Sequence, residues 1–186
     1  MAERALILGG QKSGKSRRGE TLAADWLARS PVHRAVLVAT ARAHDDEMRA
    51  RIARHRADRA ARVPGIRTVE EPVALGQAIR EHGDARTLVV VDCLTLWLTN
   101  LMAPVGAVPA PGVAHRAIDD LLDAVDSTPA PLLLIGNEIG LGVIPMGAEV
   151  RAFVDALGSL NQRVAAACDR VTLMVAGLPL HLKAPG

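Results

Sequence analysis

The sequence is poor in aromatic residues and in cysteine. Its 186 residues include one Phe, two Trp and no Tyr. Proteins that bind single-stranded nucleic acid stack bases on aromatic side chains, so this composition argues against a nucleic-acid partner. The two cysteines, Cys93 and Cys168, are too few and too isolated for a metal site or a disulfide framework. We expect both to be small core residues.

The sequence also lacks a long hydrophobic run. It contains no 18 consecutive apolar residues and no charged-then-apolar leader that ends in a cleavage site. These absences predict a cytoplasmic protein with no membrane partner. Hydrophobic residues make up 49% of the chain and charged residues 23%, which excludes disorder. The length fits one domain, residues 1–186, with a substantial core.

Lysine is scarce, whereas arginine is abundant. The chain has three lysines and 19 arginines, and eight of the arginines fall between Arg42 and Arg67. The net charge of +2 is nevertheless small. Because the arginine fork binds phosphate oxygens in bidentate fashion, the imbalance is compatible with anionic ligands. It is equally compatible with a bias in genome composition.

Short apolar runs alternate with segments of helical period. The runs "ALILGG", "AVLVAT", "TLVVVD", "PLLLIGN" and "VTLMVAG" are apolar on both pleat faces, which predicts a parallel α/β sheet covered by helices on both sides. Residues 103–112, "APVGAVPAPG", predict a loop, and the C-terminal "LPLHLK" predicts a short edge strand. The predicted helices are Lys15–Arg29, Asp46–Arg62, Pro72–His82, Thr95–Met102, Gly112–Asp126 and Glu149–Ala167.

A glycine-rich segment follows the first predicted strand. "GGQKSGKS", residues 9–16, fits the pattern G-x-x-x-x-G-K-[ST] and opens a helical segment, which is the context that a phosphate-binding loop requires. The glycines allow backbone N–H groups to surround a polyphosphate. Lys15 would reach the β- and γ-phosphates, and the Ser16 hydroxyl would complete a Mg²⁺ shell. The alternative is a strand-to-helix turn that binds nothing.

Polar residues end two further predicted strands. Asp92 follows "TLVVV" in the manner of a Walker B acid, which suggests a metal-related role, although an acid there also caps helices. Asn137 and Glu138 follow "LLLIG", at the edge where open α/β sheets bind ligands. The alternative is that these two residues form a turn whose polar groups are hydrogen-bonded within the protein and bind no ligand.

The segment "RIARHRADR", residues 51–59, places His55 among cations. In a helix, Arg51 and Arg59 lie four residues on either side of it and share its face. Nearby cations disfavour the imidazolium, which would keep a ring nitrogen free to attack. The spacing alone favours a surface histidine on a solvated basic helix.

Several longer segments carry a family resemblance. After the phosphate-binding loop come "HDDEMRARIARHRADR", "VVVDCLTLWLTNL", "NEIGLGVIP", "LGSLNQRVAAACDRV" and "AGLPLHLK", in that order. The chain resembles the bifunctional adenosylcobinamide kinase/adenosylcobinamide-phosphate guanylyltransferase family of cobalamin biosynthesis over nearly its whole length. The resemblance implies a RecA-like P-loop fold, ATP, GTP and Mg²⁺ as cofactors, and adenosylcobinamide and adenosylcobinamide phosphate as substrates. It also implies a homo-oligomer, which we expect to be a trimer.

The resemblance assigns roles to particular residues. Lys15 would be catalytic in phosphoryl transfer, and His55 would carry a covalent guanylyl group. Two departures affect this assignment: family members often have Glu at Asp92, and an Asp-Gly pair at Ala57-Asp58. The metal positions would be Ser16 and Asp92. The implied nucleotide contacts are Gly9, Gly10, Gln11, Lys12, Ser13, Gly14, Lys15, Ser16, Thr40, Ala41, Arg42, Arg56, Ala57, Asp58, Arg59, Glu70 and Asp92.

Two other functions fit parts of the sequence. One is a P-loop kinase of a small alcohol with a single activity, in which His55 is inert. The other is a RecA-like ATPase whose arginine-rich segment binds nucleic acid. The reach of His55 is a further open question, because a helix of about 18 residues is about 27 Å long. Either the helix folds back over the phosphate-binding loop, or a neighbouring subunit completes the site.

Overall fold

The computed structural model describes residues 3–43 and 46–184, without the side chains of Glu47, Met48, Arg51 and His55. Within these residues the chain alternates strands with helices. The strands are β1 Arg4–Gly9, β2 Arg34–Ala39, β3 Arg67–Glu70, β4 Thr87–Asp92, β5 Leu132–Ile135, β6 Arg170–Val175 and β7 Leu178–Lys183. The helices are α1 Lys15–Ala28, α2 Asp46–Arg62, α3 Leu75–His82, α4 Leu94–Met102, α5 Val113–Ser127 and α6 Ala148–Ala167.

The strands form one sheet in the order β3-β2-β4-β5-β1-β6-β7. Neighbouring strands are parallel except for the antiparallel pair β6 and β7 at one edge. This arrangement confirms the predicted parallel α/β sheet and its C-terminal edge strand, which is antiparallel. The strand β5 lies between β1 and β4, so the phosphate-binding loop and Asp92 are on strands separated by one other.

Each face of the sheet has its own hydrophobic core. On one face, strand residues such as Val89 and Leu134 pack with Trp97, Leu121 and Leu157 of the helices α4, α5 and α6. The opposite face packs against α1 and against the chain that follows α2, with Ala23 and Val63 in its core. The expected cover of helices on both faces is therefore confirmed. Alternation along β4 supplies both cores, because successive side chains point to opposite faces.

The predicted boundaries differ from the observed ones at a few places. The strand β3, "RTVE", was not among the predicted strands, because it is short and two of its four side chains are charged and exposed. The helix α3 begins at Leu75 and not at Pro72. The Glu71 carboxylate accepts the N–H groups of Val73 and Ala74, which holds this segment in a turn before the helix.

Both cysteines are free and buried, as expected. Burial raises the pKa of the Cys93 thiol, and it raises the pKa of Cys168 to about 12. Both thiols are therefore protonated at neutral pH and act as small core side chains. No helix in the described ranges combines the length and hydropathy needed to cross a bilayer.

Candidate nucleotide site

The phosphate-binding loop joins the end of β1 to the start of α1. Gly9 ends the strand, and a Cβ atom there would lie 2.5 Å from the carbonyl oxygen of Met174 and 2.6 Å from Ser13 Oγ. Gly14 has φ 98°, a left-handed conformation that favours glycine. The motif glycines are thus required by the neighbouring backbone of β6 and by the turn into the helix. The sequence prediction of a strand–loop–helix unit is confirmed.

The Lys15 side chain is buried beneath this loop. Its Nζ donates hydrogen bonds to the Gly10 carbonyl oxygen at 2.6 Å and to Ser13 Oγ at 3.5 Å. Burial lowers the pKa of Lys15, while the nearby Asp92 carboxylate acts in the opposite direction. A buried ammonium group is a strong donor to phosphate oxygens, because little water competes for it.

Asp92 ends β4 at the carboxyl-terminal edge of the sheet, where β1 also ends. It lines a small cavity together with Ser16, Glu20 and Arg59. Arg59 is 7% exposed, and its Nη2 lies 3.6 Å from Asp92 Oδ2. Mg²⁺ in nucleotide sites is held by one or two protein oxygens, phosphates and water. The Ser16 hydroxyl and the Asp92 carboxylate are oxygen donors on one cavity, so their chemistry fits this ion.

A buried network holds the backbone around Asp92. The Thr40 hydroxyl donates to the Cys93 carbonyl oxygen and accepts the Cys93 N–H, each at 2.8 Å. Thr40 N–H donates to the Asp92 carbonyl oxygen, and Asn100 Nδ2 donates to the carbonyl oxygens of Thr40 and Pro72. Thr40 is fully buried. Its hydroxyl therefore positions the Asp92 backbone, and a nucleotide contact by this residue stays a prediction.

The arginines of α2 attach the helix to three other elements. Arg56 pairs with Glu70 of β3 at 3.5 Å, Arg59 with Asp92 of β4, and Arg62 with Glu20 of α1 at 2.8 Å. The three arginines are spaced by three residues, which places them on one face of the helix. The C-terminal half of α2 thus lies at the edge of the sheet that carries the phosphate-binding loop.

The side chains of His55 and Arg51 lie outside the described residues. The backbone of His55 belongs to α2, one turn before Arg59, which is about 6 Å along the helix axis. Ala57 is exposed, Asp58 pairs with Arg62 at 3.5 Å, and Ala41 is half-buried after β2. Their predicted nucleotide contacts remain predictions, as does the contact of Arg42.

The predicted site residues do not all lie close to the phosphate-binding loop. Strands β3 and β1 are four places apart in the sheet. At about 4.8 Å a strand, Glu70 is about 19 Å from β1 across the sheet. A contact of Glu70 with the same nucleotide could involve only its nucleoside end.

Sequence reasoning missed one position at this edge. Glu20 is 8% exposed and binds Arg62. Its spacing of four residues from Ser16 was an available signal, because it places both on one helix face. Two hydrogen bonds hold the backbone of Asn137: Thr95 Oγ1 accepts its N–H, and Asn161 Nδ2 donates to its carbonyl oxygen. Those two partners lie on α4 and α6, far from Asn137 along the chain, so the residues around Asn137 did not indicate them.

A glycine loop over a buried lysine on this sheet defines a P-loop nucleotide-binding protein with a RecA-like fold. The crystal structure of flagellar accessory protein FlaH from Methanocaldococcus jannaschii is similar, with a TM-score of 0.54 and 11% identity. The match covers 98% of this chain and 79% of that one. At this identity the likeness concerns the fold alone.

Sequence comparison identifies the family. The chain belongs to the cobinamide kinase / cobinamide phosphate guanyltransferase family, whose model matches residues 5–182. It is 46% identical over 181 residues to the bifunctional adenosylcobalamin biosynthesis protein CobP of Pseudomonas aeruginosa, covering 97% of each chain. It is 35% identical to the bifunctional adenosylcobalamin biosynthesis protein CobU of Salmonella typhimurium, covering 96% of this chain and 98% of that protein. The protein is a bifunctional kinase and guanylyltransferase of cobalamin biosynthesis.

Proposed function

We propose that the enzyme phosphorylates adenosylcobinamide with ATP or GTP and then transfers GMP from GTP through a guanylyl group on His55. The observation that supports this most directly is the attachment of α2. Its three arginine pairs attach this helix to Glu70, Asp92 and Glu20, and the backbone of His55 lies one turn before Arg59. We therefore propose that His55 serves the phosphate-binding loop of its own chain.

In the first step the loop holds the triphosphate. Backbone N–H groups at the start of α1 and the Lys15 ammonium bind the phosphate oxygens, and the hydroxyl of the aminopropanol arm attacks the γ-phosphorus. The bond from this phosphorus to the bridging oxygen breaks, and a nucleoside diphosphate leaves. Ser16 and Asp92 would hold Mg²⁺, which supplies charge neutralisation for the phosphates.

In the second step a ring nitrogen of His55 attacks the α-phosphorus of GTP. A phosphorus–nitrogen bond forms and pyrophosphate leaves. The terminal phosphate of adenosylcobinamide phosphate then attacks the same phosphorus, the phosphorus–nitrogen bond breaks, and adenosylcobinamide-GDP is released. Arg59 lies one turn from His55 and would stabilise charge on the attacked phosphate.

We also propose a cytoplasmic homo-oligomer, a trimer, that binds neither nucleic acid nor membrane. The support for an oligomer is the edge strand β7. All six of its residues are exposed, including Leu178, Leu180 and Leu182, and one of its edges carries unpaired backbone groups. An exposed apolar edge strand favours pairing with another chain. Light scattering of the purified protein would give the subunit number.

The test of the covalent step uses GTP labelled at the α-phosphate. We expect label to remain on the denatured wild-type protein, and to be lost in acid but kept in base, as for a phosphoramidate. The variant His55→Asn should take up no label and should lose guanylyl transfer, while phosphorylation of adenosylcobinamide continues. Labelled His55→Asn would show that another residue is the acceptor. An unlabelled wild type with kinase activity alone would favour the kinase with a single activity.

A further inference from the structure

The segment between β5 and α6 exposes a continuous set of apolar side chains. Residues 139–147, "IGLGVIPMG", contain no charged residue. Every large side chain of this segment is exposed: Leu141 is 81% exposed, Val143 96%, Ile144 78%, Met146 96% and Ile139 40%. A soluble protein rarely exposes such a cluster without a binding role. We call residues 139–146 the apolar loop.

Polar contacts at both ends hold the apolar loop in this conformation. At its start, the Glu138 carboxylate accepts the N–H of Gly140 at 2.7 Å. At its end, Arg151 Nη1 donates to the carbonyl oxygens of Pro145 and Met146, at 2.9 and 2.5 Å. The backbone is therefore fixed by groups other than the apolar side chains. These side chains face outward, and their exposure is a property of the folded loop.

The apolar loop is continuous with the nucleotide site. Its first anchor, Glu138, donates its backbone N–H to the carbonyl oxygen of Gly9 at 3.1 Å. Gly9 is the first residue of the phosphate-binding motif. A molecule that rests on the apolar loop can therefore extend a side arm to the phosphates over Lys15.

We propose that the apolar loop is the platform for the corrin ring of adenosylcobinamide and of its phosphate. This inference rests on the proposed function and assigns a subsite to it. A corrin is a wide macrocycle with many methyl groups and neutral amide arms, and the hydroxyl to be phosphorylated is at the end of one arm. An uncharged apolar surface suits the ring, whereas the cradle suits the anionic end of the arm.

A second copy of the chain is the competing occupant. Two observations favour the corrinoid. Glu138, the residue before the apolar loop, is hydrogen-bonded to Gly9 of the phosphate cradle, whereas the edge strand β7 already offers a regular surface for pairing between chains. The loop also has no strand of its own to pair, since β5 ends at Ile135 before it begins.

The experiment compares Val143→Ser and Ile144→Ser with the control Val32→Ser. Val32 is 53% exposed in the turn before β2. It lies at the amino-terminal ends of the parallel strands, whereas the apolar loop follows the carboxyl-terminal end of β5. Val143→Ser removes two methyl groups, and Ile144→Ser removes a methyl and an ethyl group. The loss of two methyl groups from a binding surface costs about 1.5 kcal/mol, which is about tenfold. We expect each loop variant to raise the KM for adenosylcobinamide about tenfold in the kinase assay. The KM for the nucleotide, the labelling by GTP in the absence of corrinoid, and the subunit number should equal those of the wild type.

Each outcome has a distinct meaning. An unchanged KM for adenosylcobinamide in both loop variants would overturn the platform, provided that the wild type is active. A changed subunit number with an unchanged corrinoid KM would assign the loop to a second copy and overturn the proposal. If the wild type fails to take up label from GTP, the covalent step is wrong, yet the kinase assay still tests the platform.

Discussion

The phosphate cradle and the helix α2 are held in place by different forces. In the cradle, Gly9 fits against the backbone of β6, and Gly19 of α1 packs so closely on Ile135 that a Cβ atom would lie 2.7 Å from its Cδ1. In α2, Arg59 is the only described side chain that is buried. The helix is attached by ion pairs, of which Arg56–Glu70 is about 60% exposed on both sides.

This difference matches the two chemical tasks. Direct phosphoryl transfer needs groups that are positioned before the substrate arrives, and a packed cradle provides them. In the covalent step that we propose, His55 must meet the α-phosphorus and then the second substrate. A helix attached by exchangeable charges is suited to both encounters. Four experiments would distinguish the phosphate cradle, which is held by packing, from α2, which is held by ion pairs.

The largest effect should follow from Lys15→Ala. We propose that one cradle serves both steps. Phosphorylation and guanylyl transfer should therefore each fall about 10³-fold, because the buried positive charge that would bind the phosphates is lost. Both rates and the nucleotide affinity would be measured at saturating Mg²⁺. Lys183→Ala, which changes a lysine on β7, is the matched control and should keep both activities. If a folded Lys15→Ala enzyme phosphorylated adenosylcobinamide at the wild-type rate, phosphorylation would not depend on this cradle.

The cradle was predictable from the sequence because its determinants are local. Eight consecutive residues contain all four fixed positions of the motif, and the neighbouring apolar run and helical segment supply the context. The strand end at Asp92 was predictable for the same reason. Strand β3 was not, since its burial depends on pairing with β2 and not on its own composition.

The position of α2 could not be predicted, because it depends on pairs between distant residues. Arg62 and Glu20 are 42 positions apart, and nothing in either neighbourhood indicates the other. A surface arginine and a pairing arginine look alike in sequence. The bounds of the helix, Asp46–Arg62, agree with the prediction, but the surface on which it rests became known only from the sheet order.

Asp92 belongs to both regions, and Asp92→Asn should have the second largest effect. Asn keeps the size of the side chain but removes the charge that pairs with Arg59 and that would help to hold Mg²⁺. We expect turnover in both steps to fall about 10- to 100-fold, with a higher Mg²⁺ requirement and nearly unchanged thermal unfolding. Asp155→Asn, an exposed change on α6, is the control. Normal turnover across a Mg²⁺ titration would show that Asp92 only caps α4.

A smaller and more selective effect is expected from the pair Glu20 and Arg62. Glu20→Gln and Arg62→Met each remove one attachment of α2, and such a pair is worth up to about 1 kcal/mol. Guanylyl transfer should fall about three- to fivefold, while phosphorylation stays within about twofold. The double variant should be no worse than either single one. Arg163→Met, which breaks the pair with Asp119 between α6 and α5, controls for loss of an ion pair elsewhere. Equal losses in both steps would mean that α2 also supports the cradle.

Ionic strength should produce the smallest effect, and it tests the same attachment without a mutation. Raising NaCl from 0.1 to 1 M shortens the screening length from about 10 Å to about 3 Å. The exposed pairs of α2 are then weakened, whereas the packing of Gly9 and Gly19 is not. At saturating nucleotide and corrinoid, we expect the ratio of guanylyl transfer to phosphorylation to fall about twofold. In the double variant Glu20→Gln/Arg62→Met one of these pairs is already absent, so the same change in salt should lower the ratio less. A ratio that is independent of salt in the wild type would show that α2 is held by contacts other than its arginine pairs, and the contrast between the two regions would then be wrong.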